Sequence, residues 1–415
     1  MISSLHIGEG GANRMKDVLM ITHFTQVPGE AGNSRFNYLA NLLAAKNFHV
    51  EVVTSNFSHR MKKIRTVNEE DLKQLNYKLT TLSETGYSRN VSLKRFYSHY
   101  TFGKNLKRYL ENRTKPDVIY CAVPSLDAGY VAAKYALKNQ IKFIIDVQDL
   151  WPEAFKMVFD APLVGKAIYT PMFKIADFIY SSADEIFAVS QTYADRALQV
   201  NKKCNSAHSV FLGTDLMYFD NLASMYKYKE KPSNEIWLAY VGTLGHSYDL
   251  TTVIDGLSIL KKRGINNIKF IVMGDGPLKS KFEQYARVKN INALFTGRLE
   301  YGKMVGILTE CDIAVNPISR GAAQSIINKH SDYAAAGLPV LNTQESEEYR
   351  GLVDTYNFGL NCRNQDAEDF ANKLLLLYED EKLRKSLGEN SRRVAEEMFD
   401  RKVTYTQILN IIDRS

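Results

Sequence analysis

The sequence predicts an α/β protein made of two consecutive doubly wound domains. Three observations predict it: short apolar runs alternate with helical stretches, the alternation restarts after a polar linker, and glycine-containing turns follow the first strands of both halves. A chain of 415 residues, 45% of them apolar, is long enough for two separate cores.

In the first half the strand-like runs are 18–22, 50–54, 118–122, 143–147 and 186–189. They are nearly continuous in Val, Ile, Phe and Tyr rather than alternating, the pattern of parallel strands covered on both faces. The second half repeats it at 236–241, 270–273, 293–296, 313–315 and 340–341. Between them, residues 226–234 are polar and contain Pro232, which reads as the linker. The expected organisation is an N-terminal extension (1–15), a first domain (16–225), the linker, a second domain (235–400) and a closing helix (401–415).

Composition narrows the class. The four cysteines lack metal-ligand spacing and read as free thiols of a reducing compartment. No apolar run reaches the roughly 18–20 residues of a membrane span, so a soluble or peripheral protein is expected. Positive charge is concentrated in residues 1–232, with 30 Lys and Arg against 22 Asp and Glu, whereas residues 233–415 hold 23 against 24. It is densest at 59–65 and 94–108, where aromatics are interleaved. A solvated face is the plain explanation, and an anionic membrane or a phosphorylated acceptor is the functional one. No recognised motif supports nucleic acid as a partner.

The most informative stretch is 324–342, Gln-Ser-Ile-Ile-Asn-Lys-His-Ser-Asp-Tyr-Ala-Ala-Ala-Gly-Leu-Pro-Val-Leu-Asn. A helix is expected from Asn328, stopped by Gly337, with Val340 and Leu341 opening a buried strand. Amides around Ile327 to Lys329 would suit an anion. An ordinary helix-to-strand connection fits the same residues.

This stretch resembles the nucleotide-sugar signature of family 4 retaining glycosyltransferases, in which two acidic residues eight apart precede Ala-x-Gly-x-Pro-Val. Gln324 and Asp332 hold those positions. The resemblance spans nearly all of 16–415 and implies the GT-B fold, two Rossmann-like domains with an interdomain cleft. The turn 28–35, with Gly32 and with Ala31 where a glycine is often found, is similar to the family's first-domain glycine loop. By the same resemblance the donor side comprises Gly32, Gly242, Thr243, Gly274, Gly297, Arg298, Arg320, Ile327, Asn328 and Asp332. The segment Asp146-Val-Gln-Asp149-Leu-Trp-Pro-Glu153 looks like the Asp-Leu-Trp-Pro motif of members that build bacterial surface polysaccharides, and makes Asp149 the acceptor-side candidate. A strand end capped before a helix is its bland reading. Asp149, Gln324 and Lys329 are the catalytic candidates; Arg35, Arg60, Lys62, Lys63, Lys94 and Arg95 are assigned to the acceptor and membrane side.

Departures from the pattern bear on mechanism. Gln148 stands where many members carry a histidine, and Thr243 and Tyr248 stand where many carry the Arg and Lys that grip the donor diphosphate, leaving Lys329 and Arg320 as the candidates for that charge. A neutral Gln324 cannot be a nucleophile or general base, which disfavours a double displacement centred there. The resemblance instead implies front-face attack, with the leaving diphosphate taking the acceptor proton. No cofactor or metal is expected, the nucleotide-sugar being a substrate. The expected function is transfer of a sugar from a UDP-linked donor to a lipid-linked glycan at the cytoplasmic face of an anionic membrane. A GT-B sugar-nucleotide epimerase and a silent nucleotide-sugar or glycan binder are the alternatives.

Overall fold

The computed structural model describes residues 14–30, 34–90, 92–156, 162–228, 231–322 and 326–415. Two all-parallel sheets carry the fold. In the first, seven strands run in the order Lys78–Leu82, His49–Ser55, Asp17–Ile21, Val118–Val123, Lys142–Val147, Glu185–Ala188 and His208–Ser209. The second has six: Ala293–Gly297, Ile268–Met273, Ile236–Val241, Ile313–Asn316, Val340–Asn342 and Gly359–Asn361. In both, the domain's first strand lies inside the sheet, and the chain builds outward on one side before crossing to the other. The crossover leaves a switch point beside the C-terminal end of that first strand, where such sheets present ligands. The strands it joins are buried along their lengths, apart from the two partly exposed ends of Ile236–Val241, as their unbroken apolar sequences require.

Three strands escape the apolar-run reading because they are not buried runs. Lys78–Leu82 is a half-exposed edge of alternating character, and His208–Ser209 and Gly359–Asn361 span two and three residues. The basic stretch 59–65 belongs to a small antiparallel hairpin, Phe57–Ser58 with Lys63–Ile64, rather than to a helix face.

The domain boundary differs from the expected one. Helix Leu216–Met225 buries Leu216, Phe219 and Leu222 in the second core, with Trp237 and Tyr333, so the chain crosses at 213–215, ahead of the polar linker. It returns alongside itself. Thr214 N donates to Phe399 O at 2.8 Å and Arg401 N to Thr214 O at 3.0 Å, a parallel bridge between the outgoing and returning segments. Gly213, at φ +59, lies where an added Cβ would collide with Phe399 O, so the two connections need glycine to touch.

After the bridge come two helices, Arg401–Thr404 and Thr406–Arg414, and Tyr405, Ile408 and Ile412 pack into the first domain's core. Arg35 completes this joint. Its guanidinium pairs with buried Asp146 at 2.8 Å and donates to Val210 O, Phe211 O and the Tyr405 hydroxyl. With its side chain in the core, Arg35 cannot meet a membrane or an acceptor. Residues 1–13, and with them nearly all of the expected extension, lie outside the described residues.

Candidate functional site

The signature segment folds into helix Asn328–Ala335, ended by Gly337 at φ +65 and followed by strand Val340–Asn342. Tyr333 sets its position. The Tyr333 hydroxyl accepts from Val241 N at 2.8 Å and reaches Val315 O at 3.2 Å, pinning the helix to both strands that flank the second switch point. The helix therefore starts over the ends of those strands.

Opposite lie two interlocked turns. Gly242 N donates to Met273 O and Leu244 N to Asp275 O, while Leu278 N donates to Leu244 O. An added Cβ on Gly274 would run into Gly242 O, so this wall requires glycine there. Between helix and turns opens a cleft of about 690 Å³, whose lining includes Gly242, Thr243, Gly274, Arg298, Asn328 and Asp332. Gln26 and Arg60 of the first domain and Gly213 of the crossing close its other side, so the cleft lies between the domains. The volume falls within the roughly 300–1,000 Å³ of ordinary small-molecule sites.

The electrostatics of the cleft are those of an anion site. Arg60, carried by the hairpin, has its pKa lowered by desolvation and then by Arg298, in the turn after strand Ala293–Gly297. First-turn amides of Asn328 and Lys329 have no intrahelical partner and point the helix's positive end toward the same region. On the far side Asp332 accepts from the Tyr301 hydroxyl at 2.8 Å, and burial pushes its carboxyl up to about 6. Tyr301 in turn lies 3.3 Å from Thr214 Oγ1, which ties this carboxylate to the interdomain bridge.

Several assignments change in three dimensions. Arg60, placed by its sequence on the membrane side, is a cleft residue because the hairpin folds it back. Lys329 sits in the helix but turns inward: it is 4% exposed, its amine makes no hydrogen bond to the described residues, and it lies 4.3 Å from the Tyr248 ring centroid and 5.2 Å from that of Tyr240. Burial holds that amine well below the usual lysine range, so it is not the free cation a diphosphate needs. The Ile327 amide is already committed, donating to His330 Nδ1 at 2.9 Å. Arg320 is exposed and outside the cleft lining, and Gly297, at φ +70, shapes the turn before Arg298. Gly32 and Gln324 lie outside the described residues.

On the first domain, Asp149 follows strand Lys142–Val147. Its carboxylate accepts from Leu150 N at 2.9 Å and Trp151 Nε1 at 3.1 Å, and burial raises its pKa. Arg95 is not on the surface. It packs 4.5 Å from the Trp151 ring centroid and donates to Asn90 O. Lys62 donates to the Asn90 side-chain Oδ1 and covers the Tyr87 ring, with its pKa lowered to about 8 by desolvation and then by Arg95. Only Lys63 and Lys94 of the assigned basic residues are simple exposed charges. Tyr301 and Gln26 went unremarked in the sequence, since nothing in the local pattern of a lone tyrosine or glutamine marks a cleft.

Comparison with known proteins matches this geometry. Residues 33–213 match the family model "Glycosyltransferase Family 4" and residues 225–394 the model "Glycosyl transferases group 1", one on each domain. An uncharacterised glycosyltransferase of Methanocaldococcus jannaschii is 23% identical over 69% of this chain and 71% of its own. Among solved structures, Anabaena HepE in complex with UDP and glucose superposes with TM-score 0.68 at 14% identity, covering 96% of this chain and 99% of that one. Sucrose-phosphate synthase from Thermosynechococcus elongatus gives 0.72 at 16% identity, covering 96% and 98%. These likenesses establish the GT-B fold.

Proposed function

We propose that this chain, a GT-B glycosyltransferase of the family 4 type, moves a sugar from a UDP-linked donor to a lipid-linked glycan precursor with retention of configuration, in the synthesis of a bacterial surface polysaccharide. The observation that carries the reading is the interdomain cleft, where Arg60 and Arg298 converge from opposite domains on the start of helix Asn328–Ala335. That arrangement supplies two guanidiniums and the first-turn amides of a helix to a diphosphate, in place of the loop cations that Thr243 and Tyr248 do not provide. HepE was captured with UDP and glucose, which supports a nucleotide-sugar of that kind here.

The chemistry assigned to the residues is positioning and charge stabilisation. Arg60 and Arg298 neutralise the diphosphate as the glycosidic bond to it breaks. Asp332, oriented by Tyr301, accepts from donor ribose hydroxyls in its ionised form. The departing diphosphate takes the acceptor proton, so no protein carboxylate has to act as base. Asp149 orients the acceptor hydroxyl from the first domain. Among the described residues no helix is long and apolar enough to cross a membrane, and the reading places the protein at the inner membrane face through its basic first domain.

Thermal shift with UDP-, GDP- and dTDP-sugars tests the donor, because a ligand that binds only the folded state raises apparent stability by mass action. UDP-sugars should stabilise the wild type and fail to stabilise Arg298→Ala at the same concentration. Equal shifts in both proteins would remove the diphosphate from this cleft.

A further inference from the structure

A second cavity, of about 600 Å³, opens in the first domain between helices Leu93–Asn112, Leu126–Asn139 and Pro162–Ser182. Its walls are mainly apolar, with Leu126, Tyr130, Val131, Met172 and Ile175 on one side and Phe96 and Tyr100 on the other. Asp127 is the one acid in the described lining, and burial raises its pKa. Two lysines, Lys104 and Lys107, stand at the edge, and the only ion pair of either among the described residues is a loose 3.9 Å contact of Lys107 with exposed Glu111. Leu93, Phe96, Tyr97, Tyr100, Lys104 and Lys107 recur at helical spacing, so one exposed stripe of helix Leu93–Asn112 runs from apolar to basic. Water-facing aromatics followed by lysines are the composition of a membrane-interface helix.

Position ties this groove to the candidate acceptor side. Trp151, in its wall, is the residue whose indole donates to Asp149. His99, also in the wall, stacks on Trp151 at 5.7 Å and lies 5.5 Å from Phe24, which in turn lies 5.2 Å from His59. Phe24 and His59 are chain neighbours of Gln26 and Arg60 in the donor cleft. The groove and the donor cleft therefore approach the same loops from opposite sides.

We infer that this groove binds the hydrocarbon chain of a lipid phosphate, with Lys104 and Lys107 pairing to its phosphate head; the assignment of that lipid as the acceptor rests on the function proposed above. An apolar trough edged by cations matches an amphiphile whose charge sits at one end of its chain, and matches neither a free phosphate nor a neutral lipid.

The test uses the full chain with Trp237→Phe, which leaves Trp151 as the sole tryptophan. Farnesyl diphosphate should change Trp151 emission saturably, while inorganic pyrophosphate should not. Lys104→Ala/Lys107→Ala should weaken farnesyl diphosphate binding at least tenfold and leave farnesol unaffected. Tyr100→Glu, at a side chain 57% exposed and so safe for folding, should weaken both. Absence of a saturable change, or one the variants leave untouched, overturns the inference. Saturable binding by a protein that releases nucleotide with no acceptor upholds the groove and overturns the transfer reading alone. Transfer to a lipid-linked acceptor that the groove variants do not alter overturns the groove alone.

Discussion

Arg60 of the first domain and Arg298 of the second face one cleft from opposite sides, and the Arg60 pKa is lowered by desolvation and then by Arg298. An anion bound between two guanidiniums that reach one cleft from two domains would contact both domains at once. The pair thus links donor binding to the approach of the domains.

Each arginine should matter for binding and little for folding. Arg60→Ala and Arg298→Ala are each expected to weaken UDP binding by about 1–3 kcal/mol, the scale of a charged hydrogen bond. The apo Arg298→Ala protein should melt within a few degrees of wild type, since Arg298 lines an open cleft. Calorimetric titration and thermal melts check the two halves. A large loss of stability in apo Arg298→Ala would mean that this arginine is structural.

Asp332 predicts two pH dependences of opposite sign. With its carboxyl raised from 3.8 to about 6 by burial, the folded state holds the proton more tightly than the unfolded one. Its contribution to stability is therefore present below about pH 4 and lost as pH rises through about 6, worth about 3 kcal/mol over two pH units. Ribose recognition needs the ionised form, so UDP affinity should instead fall as pH drops below about 6. Asp332→Asn should flatten both profiles, and an unchanged affinity profile in that variant would exclude Asp332 from the ribose contact.

Lys329 carries the opposite expectation from its place in the signature. A buried amine with no hydrogen-bond partner among the described residues costs folding free energy, so Lys329→Met should stabilise the protein by about 1–3 kcal/mol. UDP affinity should stay within twofold of wild type. A tenfold loss would show that the side chain swings from the tyrosines into the cleft.

The acceptor side separates from the donor side by kinetics. Asp149→Asn preserves the shape of the side chain held by Leu150 N and Trp151 Nε1 and removes its charge. It should lower kcat with acceptor by about 10- to 1,000-fold while leaving donor affinity intact. Equal kcat values would reduce Asp149 to a structural cap.

The sheets were legible because their central strands are unbroken apolar runs, and a strand buried on both faces has no other option. Helix Asn328–Ala335 was legible through Gly337 and the Ala-rich turn. What escaped depends on partners distant in sequence. Helix Leu216–Met225 looks like a closing element of the first domain until Phe219 is seen against Trp237 and Tyr333. Arg60 lies in a run of basic residues that carries no sign of the hairpin that turns it to the cleft while Lys62 packs over Tyr87. Lys329 is a cation by composition, and only the Tyr240 and Tyr248 rings reveal that it is a core residue. Gly32 and Gln324 lie outside the described residues, so their assignments stand as expectations.

Nucleoside diphosphate release from a UDP-sugar, measured with and without a lipid-linked acceptor, tests most directly whether the cleft serves transfer. Release should depend on acceptor, with the sugar recovered on the lipid in its original anomeric configuration and with Arg298→Ala strongly impaired. Recovery of an epimerised donor without acceptor, or tight donor binding with no release under any condition, would contradict it.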